Sequence, residues 1–120
     1  MSKILINCTH ATDDAERATL SFIVGNVAAS ADQEAVVLLT IEGVWLAKRG
    51  CVDGVQKEGF PALKDVMQQF VSNGGQIWAC GTCTKPRGIT EADLIDGARV
   101  VTAAHVVQHL AQGGVNTLDF

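Results

Sequence analysis

Two cysteines three residues apart, Cys80 and Cys83, lie within the stretch Gln76 to Gly88, QIWACGTCTKPRG, and are the side chains best suited to covalent chemistry. A short apolar run, Ile77 to Ala79, reads as a buried strand that delivers Cys80 to its carboxyl end. In open parallel sheets that end faces a crevice where loops open and helix starts point their N–H groups inward. A thiol reacts as its thiolate, which nearby cations and converging backbone N–H groups favour. Lys85 and Arg87 supply the cations, Gly81 and Gly88 let the backbone bend tightly, and Thr82 and Thr84 offer hydroxyls to sulfur. Such a thiolate can take sulfur from a donor, carry it as a persulfide and yield it to an acceptor thiolate.

The same C-x-x-C spacing permits other chemistry. In a redox pair one thiolate attacks a disulfide and the second resolves the mixed intermediate. Thioredoxin-type pairs usually open a helix with proline close by, and the surrounding pattern does not match that arrangement well. A zinc site needs two further ligands, and Cys8, His10, Cys51, His105 and His109 are scattered. A reading from a different class is a noncatalytic oligomeric module that binds a small ligand or partner in the strand-end crevice, with Trp45 as a wall. His10, just after the first strand, could reach the same rim as a proton donor or acceptor. His105 and His109, four apart on a helix, read as a surface stripe rather than a metal pair. Neither a metal nor a cofactor is expected.

Composition narrows the class. The chain has 120 residues, enough for one domain spanning 1–120, and 48 % of them are hydrophobic against 18 % charged. That apolar load suggests that some surface meets another subunit. A formal net charge of −4 and no Lys/Arg cluster argue against direct nucleic-acid binding. MSKILINC turns polar at Thr9, too soon for a signal-peptide core or a membrane span, so the expected compartment is the cytoplasm with no membrane partner. Four cysteines in a reducing compartment are expected as thiols.

The elements that must position the cysteines follow from periodicity. Strands are expected at Lys3 to Cys8, Ala35 to Ile41, Ile77 to Ala79, Ala98 to Val101 and Val115 to Phe120. A helix capped by Thr12 runs to Ser30, with Leu20, Ile23, Val24, Val27 and Ala28 as one apolar stripe and Ala15, Ala18 and Phe22 as a second. Gly25 within it fits a close approach of another backbone. Glu42 to Ala47 reads as a short helix or turn on the same rim as Cys80, and Gly50 to Gly59 as a loop holding Cys51. Further helices start at Pro61, at Thr90 as far as Gly97, and at Thr102, the last with Ala103, Val106, Val107 and Leu110 facing one way. Strand and helix alternate, which is the pattern of a three-layer α/β fold around a mainly parallel five-stranded sheet.

The continuation of the motif is more specific than its cysteines. CGTCTKPRGIT, with Arg87 and Gly88 after the cysteine pair and then Ile89 and Thr90, resembles the active-cysteine loop of the DsrE/DsrF family of sulfur-relay proteins, especially its YchN-like branch. The order of elements is similar over nearly the whole chain. The resemblance implies a DsrEFH-like fold and a small sulfur carrier or sulfurtransferase that passes sulfane sulfur as a persulfide on Cys80, with Cys83 as a second or resolving thiol. It also implies sulfur donor and acceptor proteins as partners and a homotrimer or homohexamer.

Overall fold

A computed structural model describes residues 2–120 of the chain. In chain order the main elements are β1 (Lys3–Cys8), α1 (Ala15–Ser30), β2 (Glu34–Leu39), α2 (Leu63–Ser72), β3 (Gln76–Cys80), α3 (Gly81–Thr84), β4 (Ala98–Val101), α4 (Ala103–Ala111) and β5 (Val115–Asp119). The strands form one sheet in the order β4-β3-β2-β1-β5, and every neighbouring pair is parallel. β1 to β4 step across the sheet in one direction, and the chain then returns from the β4 edge to the β5 edge. Right-handed crossovers put α1 and α2 on one face and the returning α4 on the other, so the fold has three layers.

Each strand serves both layers by alternation. Ile6, Cys8, Val37, Leu39, Ile77 and Ala79 belong to the core under α1 and α2, whereas Leu5, Val36, Leu38, Trp78 and Val101 form a smaller cluster on the α4 face. The first core is centred on Phe22 and Phe70, fully buried and packed edge to face at 5.6 Å. Each such side chain contributes about 1.5–3 kcal/mol by leaving water. In α2, Leu63, Val66, Met67 and Phe70 are buried at helical spacing, and Gly74 ends the helix region with φ +93°.

Several elements differ from the sequence reading. Thr12 opens only a 3₁₀ turn, and Asp14 caps α1 by accepting from the N–H of Arg17. The helix α1 packs through Phe22 and the small residues Ala18, Gly25 and Ala29, while Val27 of the more apolar stripe is exposed. What comes close at Gly25 is not a backbone. A Cβ there would lie 3.1 Å from the Phe70 ring and 3.2 Å from Val37, so the glycine makes room for side chains. Strand β2 stops at Leu39, because Ile41 turns to φ +56° and begins a 3₁₀ helix, Ile41–Ala47. α2 begins two residues after Pro61.

The helix expected from Thr90 is a 3₁₀ turn, Glu91–Asp93, held by a reciprocal box in which Asp93 accepts from the Thr90 N–H. It stops because Leu94 is extended and pairs with Lys48. In α4 only Val106 of the expected apolar stripe packs on the sheet. His105 and His109 point inward, with ring centroids 4.7 and 4.9 Å from that of Trp78, while Val107 and Leu110 are exposed. Arg99 lies over the same indole and meets His105 Nε2 at 3.2 Å. No helix among the described residues is long and apolar enough to cross a membrane.

Candidate functional site

Cys80 ends β3 and is at once the N-cap of α3, so the segment GTCT is itself helical rather than a loop. This corrects the view that the pair does not open a helix. Gly81 makes the abrupt change possible, since a Cβ there would meet Val100 and the Val101 carbonyl at 3.2 Å. Thr84 closes the turn by donating its hydroxyl to the Gly81 carbonyl. A 3₁₀ turn, Lys85–Arg87, follows with Pro86 inside it, and Gly88 caps it in the left-handed conformation at φ +68°. The N–H of Ile89 then returns to the Thr84 carbonyl, and the Ile89 side chain is buried.

N-cap and third helical residue are neighbours on the same side of a helix start, which is the relation of Cys80 to Cys83. Both are free and half-buried. Their surroundings differ. Cys83 Sγ accepts a hydrogen bond from the Ile41 N–H at 3.2 Å, whereas no hydrogen bond to Cys80 Sγ is formed among the described residues. Arg87 binds the same turn, donating Nη1 to the Cys83 carbonyl at 3.0 Å and Nη2 to Glu42 Oε1 at 2.8 Å. Its charge therefore meets a carboxylate instead of either sulfur. Lys85 and Thr82 are exposed, and Lys85 forms no ion pair among the described residues.

Periodicity alone places Ile41 at the end of a strand and Glu42 at the start of a short helix or turn. Both come from the carboxyl end of β2, next to β3 in the sheet. No local signal could have placed them, because Ile41 is 42 residues from Cys83 and Glu42 is 45 from Arg87. A β-branched residue at φ +56° is a strained backbone, of the kind found at functional sites. The turn that holds it is fixed on β1. Thr40 donates its N–H to the Cys8 carbonyl, Gly43 donates to the Thr40 carbonyl, and Gly43 packs so closely on the Cys8 carbonyl that a Cβ has no room.

The remaining residues singled out above lie apart from the pair. Trp45 packs its ring against the main core, with Lys48 Nζ 5.6 Å from the ring centre. His10 is on the far side of β2, after β1, with Nδ1 2.8 Å from Asp13 Oδ2. Asp13 also accepts the Ala11 N–H, which holds its carboxyl below the usual range. Cys8 is fully buried, and burial pushes its thiol up. Cys51 sits half-buried in a turn. Among the described residues, no three His, Cys, Asp or Glu side chains converge as a metal cage requires. A shallow depression of about 420 Å³ beside α3 is lined by Gly81, Thr84, Lys85, Gly88 and Val100 among others. A larger groove of about 630 Å³ runs along α2 and contains none of the residues singled out by chemistry.

Comparison with known proteins recovers the family and the parallel α/β fold. The model of the DsrE/DsrF-like family matches residues 2–120, and the chain belongs to that family. It is similar to an uncharacterized protein of Methanocaldococcus jannaschii, with 29 % identity over 96 % of this chain and 42 % of the relative. An uncharacterized protein of Methanopyrus kandleri is 31 % identical over 62 % of this chain and 59 % of its own length. The chain thus spans roughly two fifths to three fifths of these curated relatives. Among solved structures, the ychN protein of E. coli superposes with a TM-score of 0.81 at 24 % identity, both chains being covered completely. A protein of unknown function from Methanobacterium thermoautotrophicum gives 0.74 at 20 %, again over the whole of both chains. These two likenesses establish the fold: α/β, with a five-stranded parallel sheet between helical layers.

Proposed function

We propose that the chain is a sulfur carrier or sulfurtransferase in which Cys80 bears the transferred atom. The observation that carries this reading is a half-exposed thiol at the junction of β3 and α3, with a second thiol one turn on. Membership of a sulfur-relay family supports it. In loading, the Cys80 thiolate attacks the outer sulfur of a donor persulfide. The new Cys80 sulfur–sulfur bond forms, the donor bond breaks, and the donor thiolate leaves with the electron pair. In delivery, an acceptor thiolate attacks that outer sulfur and Cys80 leaves as thiolate. No net oxidation occurs in either step.

Gly81, Gly88 and Arg87 hold the turn that presents Cys80, and exposed Lys85 and Thr82 stand where a donor or acceptor protein would meet it. Trp45 and His10 serve the rim in this reading only by shaping its neighbouring segments. The exposed Val27, Val107 and Leu110 support assembly as a homotrimer or homohexamer, to be checked by light scattering.

The test is intact-mass measurement after incubation with a small-molecule persulfide donor. A gain of about 32 Da that reductant removes is expected for the native chain and not for Cys80→Ser. No gain in the folded native protein overturns the carrier reading. The placement of the pair at a helix start favours one alternative, a dithiol oxidoreductase. Cys83→Ser separates the two: a carrier still gains the sulfur, whereas a reductase loses turnover.

A further inference from the structure

The rigid Thr40–Gly43 turn gives the cysteine pair an unequal treatment that sulfur loading alone does not require. Of the pair, only Cys83 receives a backbone donor among the described residues, and that donor belongs to a residue held at φ +56° despite its β-branched side chain. Ile41 leaves that side chain 53 % exposed, so burial of its own apolar surface does not explain the strain. The turn cannot follow a moving sulfur, because Gly43 is packed on the Cys8 carbonyl and Thr40 is bonded to both Cys8 and Asn7. Any movement of Cys83 Sγ toward a new bond therefore forfeits the Ile41 contact. On the other side of the turn Arg87 holds the Cys83 carbonyl, which fixes the backbone from which the sulfur would move.

We infer that Ile41 is a positioning residue whose N–H stabilises the reduced form of Cys83 over its disulfide and so biases the pair against closing into a disulfide. The inference rests on the carrier reading and concerns the side reaction that a carrier with a second thiol must suppress. In that reaction Cys83, after losing its proton to solvent, attacks Cys80 Sγ of the persulfide. The bond from Cys80 Sγ to the sulfane sulfur breaks, and hydrogensulfide leaves with the electron pair. The two cysteine sulfurs are oxidised to a disulfide and the sulfane sulfur is reduced to sulfide. A disulfide sulfur is the poorer acceptor for the Ile41 N–H, so the hydrogen bond favours the dithiol side of this balance.

The experiment replaces the amide between Thr40 and Ile41 by an ester in the full chain, which removes this N–H and keeps the Ile41 side chain. The dithiol–disulfide ratio is then measured in glutathione buffers. The ester is expected to shift the equilibrium toward the disulfide about fivefold, the loss expected for one hydrogen bond. Ile41→Gly retains the N–H and accepts the left-handed backbone, and should stay within about twofold of the native ratio. An ester protein with the native ratio overturns the inference, as does a shift in Ile41→Gly as large as that of the ester. The glutathione equilibrium needs no sulfane donor, so its outcome is independent of whether Cys80 gains sulfur in the mass measurement.

Discussion

Cys8 and Cys80 both end a parallel strand at the carboxyl edge of the same sheet, yet the structure makes them opposites. Cys8 is 0 % exposed, bonded to the His10 carbonyl, and lies under the turn and helix that follow β1. Cys80 is half-exposed because α3 starts at the next residue and leads the chain away along the edge of β4. Position at a strand end is thus insufficient to make a thiol available. The route of the next few residues decides it, and here a single glycine, Gly81, sets that route.

The contrast yields its largest effect in alkylation. Iodoacetamide is expected to modify Cys80 in the folded protein and Cys8 only as the chain unfolds, with rates separated by about a thousandfold or more. Peptide mapping over time checks this, and comparable rates would break the comparison. Next in size is Gly43→Ala. A methyl group forced against the Cys8 carbonyl should cost about 2–4 kcal/mol in urea unfolding, and should also disturb the turn that serves Cys83.

Cys8→Ala should cost about 1–2 kcal/mol near neutral pH through the space it leaves. It should also change the alkaline limb of the stability curve. Burial raises the folded-state pKa of Cys8 above its unfolded value, so the folded state retains the proton longer. The associated stability is complete below the unfolded thiol range, about pH 8.5, and is lost as pH rises toward the folded value. Urea titrations between pH 7 and 10 should therefore fall more steeply for the native chain than for Cys8→Ala.

Glu42→Gln is the mildest change. The pair with Arg87 is partly exposed, so solvent screening leaves it worth only about 0.5–1 kcal/mol, or a fall of roughly 2–4 °C in Tm. Cys80 alkylation should be nearly unchanged, since Arg87 still holds the Cys83 carbonyl.

Much of this layout was legible in the residues. β1 and β4 have the expected bounds: Ile4 to Ile6 form a continuous apolar run framed by polar residues, and β4 lies between Gly97 and the helix cap Thr102. The reactive loop was legible because its chemistry is local to one stretch. What the sequence concealed depends on distant contacts. GTCT has weak helical preference, and its helix is held by Thr84 and Arg87 and by its position on β4. Ile41 extends an apolar run, so periodicity assigns it to β2, and only the packing of Gly43 on β1 shows that the chain has already turned. The inward histidines of α4 escaped for the same reason. Their partner, Trp78, belongs to a strand far away in sequence.

The return of the chain across the sheet also has a consequence in time. Of the five strands of this sheet, β5 is synthesised after the other four, yet it pairs with β1, made before them, as Lys3 meets Val115. During synthesis β1, β2 and β3 can join as each emerges, but the outer edge of β1 stays open until residues 115–119 arrive. Until then an apolar strand flank is available to any other nascent copy, and the first of these five strands to be made is the last to be closed.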